Sequence, residues 1–452
     1  NYDSRHGIAM EASTENDFLL KAEGGITLTG SNNNPGNYFG ISMSGGTYLA
    51  TGAGEIRFNG SSGTGGYGIA TRTYSNNLFT HILSNSGDIT FNTANISTAY
   101  DGTSNITGLF FGAKSATGVT SSTADIIFNV DNIASLGKMT VETEGILAIE
   151  SRSSSWASAQ TVNLSLLTVN QLGGVKIGKI GNSSDLSLSL PIILGNIEIN
   201  GNDTILNSNL FSSIGDITVN TNLVSSSAIL VEANNGDINL NGNVTTTDSS
   251  NDAIIFNAGK SKNATDNLGG NIIIGSTPTI NYGNGGRAVF YSGKESASTG
   301  LTTLVSLANV RNYSDETTIF SPILVSGLYA IYRGLEISSI IPTNDYITSI
   351  LNNKTISSPS LDRVSKTTIL NSFENKVDSS YISKNGTTSN LSKLIKNYIS
   401  EKKNIKDSKV TLVSDTGGEK EISIIESDEL IAQNGGELRV ALSPDSFVEL
   451  VN

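Results

Sequence analysis

The stretch GNIEINGNDTILNSNLFSSIGDITVNTNLVSSSAILVEANNGDINLNG, residues 195–242, carries one short template three times, opening at Gly195, Gly215 and Gly236. Each copy reads turn residue, polar residue, apolar residue, outward residue, apolar residue, Asn. A strand turns successive side chains to opposite faces, so the core-strand pairs Ile197 and Ile199, Ile217 and Val219, and Ile238 and Leu240 fall on one side. Glu198, Thr218 and Asn239 fall on the other. Copies 20 and 21 residues apart are too short to bury their apolar side alone. Neighbours must therefore stack at about 4.8 Å and share one core, which is the physics of a solenoid.

The same template recurs upstream as GEIRFNG from Gly54, GDITFN from Gly87 and ADIIFN from Ala124, now 33 and 37 residues apart. Ile56 and Phe58, Ile89 and Phe91, and Ile126 and Phe128 continue the apolar side; Ile127, at an outward position, breaks the rule. The longer intervals read either as a coil carrying an inserted loop or as two coils, one of them degenerate, such as GILAIE from Gly145 or GVKIG from Gly174. The expected fold is all-β: a right-handed parallel β-helix over residues 1–300, with about a dozen coils and a length of roughly 60 Å. The Asn that closes each copy, at Asn59, Asn92, Asn129, Asn200, Asn220 and Asn241, is expected to stack at one corner as a structural ladder.

Composition supports an elongated polar-walled protein. The chain has 452 residues with 47 Gly, 7 Pro and no Cys, a formal charge of -13, and only 15% charged residues. That charge argues against nucleic acid as a partner, and the lack of Cys removes disulfides and thiolate metal sites. No run of 18 apolar residues exists, so no membrane-spanning helix is expected, and the start NYDSRHGIAM has no leader pattern and reads as that of a processed product or of a fragment.

The pattern fades after GGNIIIG at Gly269, and residues 301–345 read as the end of the solenoid and a transition. From about residue 346 Lys becomes frequent and Gly-rich turns stop, which marks a small α+β C-terminal domain over 346–452, a cap or coupling domain. There SNLSKLIKNYISEKK places Leu391, Leu394, Ile395, Tyr398 and Ile399 at helical spacing, and strands are expected at Val410, Glu421 and Glu437.

The blocks Tyr291 to Gly293, Ser298 to Leu301, Asn312 to Thr317 and Gly327 to Arg333 resemble the haemagglutinin-repeat exoproteins of Gram-negative bacteria, which are similar to filamentous haemagglutinin and other two-partner-secreted adhesins. The resemblance is good over residues 236–335 and generic over 20–235. It implies export, display at the bacterial cell surface and a β-helix, and it implies no particular ligand. The secretion module expected of such proteins at the N-terminus is missing.

Chemistry is sparse. Asp88, Asp125, Asp216 and Asp237 share one template position, which points to turn capping by Asx hydrogen bonds. An axial row of this kind would suit Ca²⁺, but Glu55 and Asn196 interrupt it. His6 and His81 lie far apart, Trp156 reads as a loop or coil-edge residue, and the Gly-rich turn at Gly63 lacks a phosphate-loop context. Sequons recur, including Asn95, Asn163, Asn243, Asn263 and Asn312. No catalytic residue, metal or cofactor is expected. The expected function is a non-catalytic extracellular structural or adhesive protein that self-associates head-to-tail into filaments or forms an adhesin stalk, with a glycan or protein receptor. The alternative is a polysaccharide lyase or hydrolase with its site on the wall or in inserted loops at 60–86 or 97–123.

Overall fold

The computed structural model describes residues 6–334, apart from 12–17, 35–37, 72–77, 99–106, 263–268, 307–308 and 313–325, and beyond them only the strands Lys409–Val413 and Glu419–Ser423. The chain parts into two compact units, Asn1–Gly334 and Leu335–Asn452.

The first unit is a parallel β-helix. Pairing between its strands is parallel throughout, from His6–Glu11 on Phe39–Ser44 to Arg287–Lys294 on Gly327–Gly334. Two walls merge into a 17-stranded sheet, because strands such as Ile89–Ser97, Ile126–Ser135 and Asn196–Leu206 are long enough to run across both. A third wall consists of two six-stranded sheets, one from Leu19–Ala22 to Leu167–Gln171 and one from Leu210–Ser212 to Gly327–Gly334 and Val310–Asn312. Between the two only a bridge from Ile193 to Ser212 continues the pairing.

Register turns the sequence template into axial columns. Ile26, Ile56, Ile89, Ile126, Leu147, Val175, Ile197, Ile217, Ile238 and Ile272 are successive partners, one per coil. Two residues on, Leu28, Phe58, Phe91, Phe128, Ile149, Ile177, Ile199, Val219, Leu240 and Ile274 form a second column. The core strands are buried at 0–1% exposure at Ile197, Ile199, Ile217, Val219, Ile238 and Leu240, while the residues between them stay half-exposed. A one-residue slip would expose the whole set, and this fixes the register. This column has ten rungs, about 45 Å at about 4.8 Å per step; on the third wall Leu19–Ala22 precedes its first coil and Gly327–Gly334 follows its last, which brings the stack to the dozen coils expected.

The long intervals resolve in both ways. From Ile126 to Ile197 they contain two degenerate coils, whose strands are Ile146–Glu150 and Gly174–Ile177. Upstream, Ile56, Ile89 and Ile126 are direct partners, so each interval is one lengthened coil. Residues 60–86 and 97–123 are accordingly not inserted loops: they contain the wall strands Tyr67–Thr71, Leu78–Ser84 and Thr107–Gly112. These strands were missed because burial on both faces removes the polar alternation, as in Tyr67–Thr71 where four successive residues are buried. After Gly112 the chain does leave the wall, and it folds Ala113 and Val119 back over Leu49 and Leu83.

The blocks around Ser298 close the far end of the long sheet. Ile274 donates its backbone N–H to the Thr299 carbonyl at 2.9 Å, and the short helix Leu301–Val305 buries Leu301 and Val305. Gly300 turns there at φ 79°, where a Cβ would press on Ile274. Thr302 donates to Glu295 Oε1 at 2.9 Å and lies 3.0 Å from the Tyr332 hydroxyl, tying this cover to the next coil. Parallel pairing runs on to Gly334, inside the segment 301–345 read as the end of the solenoid.

In the second unit the strands expected at Val410 and Glu421 pair antiparallel, Lys409–Val413 on Glu419–Ser423. The expected helix over Leu391 to Ile399 and the strand at Glu437 lie outside the described residues.

Candidate functional site

The Asn positions fall into one column but bond in two runs. Asn92 Nδ2 donates to Asn59 Oδ1 at 3.2 Å; Asn220 donates to Asn200 at 2.8 Å, and Asn241 to Asn220 at 2.6 Å. Asn129 is the partner of Asn92 on one side and of Glu150 on the other, and its Oδ1 accepts no hydrogen bond. The ladder is interrupted there because Glu150 is instead drawn to Lys176, 2.9 Å away.

The acidic row works differently from an Asx turn. Asp88 Oδ1 accepts the N–H of Asp125 at 3.3 Å, and Asp125 Oδ1 that of Ile146 at 2.9 Å. Further along, Asn196 caps Asp216, Asp216 caps Asp237, Asp237 caps Asn271 and Asn271 caps Lys294, at 2.7–2.9 Å. Each side chain thus holds the backbone of the following coil rather than its own turn, satisfying an N–H that the corner would otherwise leave unpaired. Asn222 and Asn243 repeat the device at a second corner, capping Asn243 and Thr279 at 3.0 and 2.8 Å. That second row escaped the sequence reading because its positions share no six-residue template. Among the described residues, no three His, Asp or Glu side chains stand close enough to hold a metal ion.

One place on the outer wall forms a groove. It is lined by Glu55, Arg57, Asp88, Thr90, Ile127 and Asn129 with the turn at Ser86 and Gly87, and it encloses about 380 Å³. The strands Ile56–Ser62, Ile89–Ser97 and Ile126–Ser135 set these residues in register, so that Arg57, Thr90 and Ile127 form one axial row and Glu55, Asp88 and Asp125 the residues just before it. Arg57 donates from Nε and Nη2 to Glu55 Oε2 at 3.0 and 2.8 Å, and Thr90 Oγ1 donates to Glu55 Oε1 at 2.5 Å. Desolvation in the groove, with the carboxylates of Asp125 and Glu55 behind it, lifts the Asp88 carboxyl above its ordinary range, against the lowering effect of the Asp125 N–H.

The sign of that shift gives a pH prediction. Folding raises the acid above its unfolded value, so the charged form opposes folding above the folded pKa, and the opposition fades as pH falls to the unfolded value. Asp88→Asn keeps an Oδ1 acceptor, as Asn196 does in the same row. The variant is expected to melt higher than the parent at pH 7 by a small margin, under about 1 kcal/mol at so open a site. The two melting curves should converge below the carboxylate range, and a lower midpoint at pH 7 would reject this account.

The remaining candidates are structural. His81 is buried with Nε2 2.8 Å from Lys114 Nζ, and His6 stacks on Phe39 at 4.8 Å. Trp156 sits in a loop but is buried, at 3% exposure, and its Nε1 donates to the Val130 carbonyl at 2.7 Å. Arg333, which the sequence reading treated only as part of a motif, is buried and donates to four backbone carbonyls. Comparison with family models, characterised proteins and solved structures finds no match to this chain. No helix among the described residues is long and apolar enough to cross a membrane.

Proposed function

We propose that this chain is a non-catalytic extracellular structural protein of a bacterial surface, a β-solenoid rod that joins head-to-tail into filaments or serves as an adhesin stalk. The observation that carries this reading is the commitment of the wall to coil-to-coil contact. Side-chain acceptors from Asn196 to Asn271 hold the backbone of the next coil, the Asn column bonds along the same direction, and ten buried rungs run beneath them. Bonding of this kind resists bending and stretching, which is the property of a spacer or fibre. A contact between two different ends of a rod does not close on itself, so it propagates. Export and surface display rest on the resemblance of residues 236–335 to haemagglutinin-repeat exoproteins.

Negative-stain electron microscopy of the purified full chain over a concentration series tests the proposal. Rods that join end to end as concentration rises are expected. Single rods at every concentration would reject the filament and retain the stalk. Turnover of polygalacturonate, assayed with and without Ca²⁺, would overturn the non-catalytic reading in favour of a polysaccharide-degrading enzyme.

A further inference from the structure

The outward row between the two buried columns contains a step in side-chain length. Thr90, 5% exposed, stands in register between Arg57 one coil before it and Ile127 one coil after. A short residue between two long ones leaves a notch two coil spacings across, roughly 10 Å between the flanking backbones. The groove it forms, of about 380 Å³, falls within the range of about 300–1,000 Å³ usual for small-molecule sites.

Its two walls differ in chemistry. On one side Ile127 presents aliphatic carbon, with Ala148 as its partner on the following coil, while Thr90 and Arg57 on the preceding coils are polar. On the other, Arg57, Glu55 and Thr90 hold one another by three hydrogen bonds, so the guanidinium is fixed before any ligand arrives. Arg57 spends Nε and Nη2 on Glu55, which leaves Nη1 over. Asp88 spends one oxygen on the Asp125 N–H and keeps the other. The groove thus offers one spare donor and one spare acceptor beside an aliphatic wall. A pyranose ring has the matching character: a C–H face for Ile127, a hydroxyl that donates to Asp88, and ring or hydroxyl oxygens that accept from Arg57. Glu55, Asp88 and Asp125 outweigh Arg57 in charge, so a uronate or sialate would be repelled.

We propose that the Arg57–Thr90–Ile127 notch binds one pyranose unit of a neutral glycan. This rests on the reading of the rod as an adhesive surface protein and names the class of its ligand. Saturation-transfer NMR of the full chain with methyl α-mannoside, methyl β-galactoside, N-acetylglucosamine and polygalacturonate tests it. At least one of the three neutral sugars should receive saturation and polygalacturonate none. Ile127→Ala and Arg57→Ala should each weaken that binding by about tenfold, as loss of a central contact does. Both residues face outward, so the melting midpoint should hold, and a variant that melts early is replaced by Thr90→Val, which keeps the shape, removes only the Thr90–Glu55 hydrogen bond and should weaken binding in the same direction. Absence of transfer from all three neutral sugars, or transfer undiminished in the Ile127→Ala, Arg57→Ala double variant, overturns the proposal. Rods that still assemble and adhere to cells in that double variant show that the notch has failed and the adhesive rod has not.

Discussion

Phe91→Ala is expected to cost about 3–5 kcal/mol, the largest loss available from a single core side chain. Phe91 is fully buried and lies in an aromatic stack, 5.1 Å from Phe58 and 4.8 Å from Phe128, with interplanar angles of 21° and 4°. Phe111 from the third wall sets its ring edge against both Phe91 and Phe128, at 5.9 and 6.1 Å. Removing the middle ring leaves a void that the neighbours cannot fill, because Phe58 and Phe128 are held two coils apart by backbone pairing at Ile56, Ile89 and Ile126. The loss should also be local. In a stack of coils each unit touches only its neighbours, so the defect weakens residues near 56–130 and spares those near 256–290. Chemical denaturation followed by limited proteolysis checks both points: early cleavage confined to the first coils is expected. Phe256→Ala, which breaks the separate Phe256–Phe290 stack at 5.1 Å, should reverse the pattern. A single cooperative loss for both variants would contradict the one-dimensional picture.

How much of this was legible in the sequence depended on the range of the interaction. The alternation in GDITVN and its relatives fixes which side chains are buried, so the columns through Ile217 and Val219 could be read directly. The sequence also placed Phe58, Phe91 and Phe128 on the buried side, though not that their rings stack, since that requires knowing that 33- and 37-residue intervals are single coils. Coil length is set by strands such as Thr107–Gly112, with the apolar run Leu109, Phe110 and Phe111 and no polar alternation to announce it. The groove followed the same logic. Ile127 stood out as an exception to the template, but its relation to Thr90 and Arg57 exists only once the register is set. For the acidic row, the position of Asp216 and Asp237 was evident and their partners were not, because the N–H each one caps lies 21 and 34 residues further along the chain.

Loss of the Arg333 side chain should be the next most severe, and at the opposite end. Arg333 is 5% exposed, and its planar fork reaches the carbonyls of Ala258 and Gly259 from Nη1 at 2.8 and 2.9 Å and those of Gly269 and Gly270 from Nη2 at 3.0 and 2.9 Å. These are the two feet, at 258–259 and 269–270, that the guanidinium joins within the long coil between Ile238 and Ile272. Gly259 and Gly270 both take the left-handed backbone, at φ 69° and 65°, and a Cβ on Gly270 would meet Arg333 Nη2 at 2.6 Å. Both glycines are therefore needed for the feet to close on the guanidinium. Arg333→Met fills much of the volume; the Gly259 and Gly270 carbonyls keep backbone donors from Lys262 and Gly293 and Gly269 is exposed, so the buried Ala258 carbonyl loses most, at about 1–3 kcal/mol for a buried group left unpaired. A net loss of about 1.5–3 kcal/mol is expected, of the size that losing hydrogen bonds to a charged group causes. Arg333→Lys supplies one ammonium where two separate nitrogens are required, and should recover less than half. Hydrogen exchange reports the site: amides at 258–260 and 269–271 should exchange faster in Arg333→Met while those of Ile89–Phe91 remain unchanged. Equal stability of Lys and Arg at this position would mean that charge, and not the geometry of the fork, holds the two feet together.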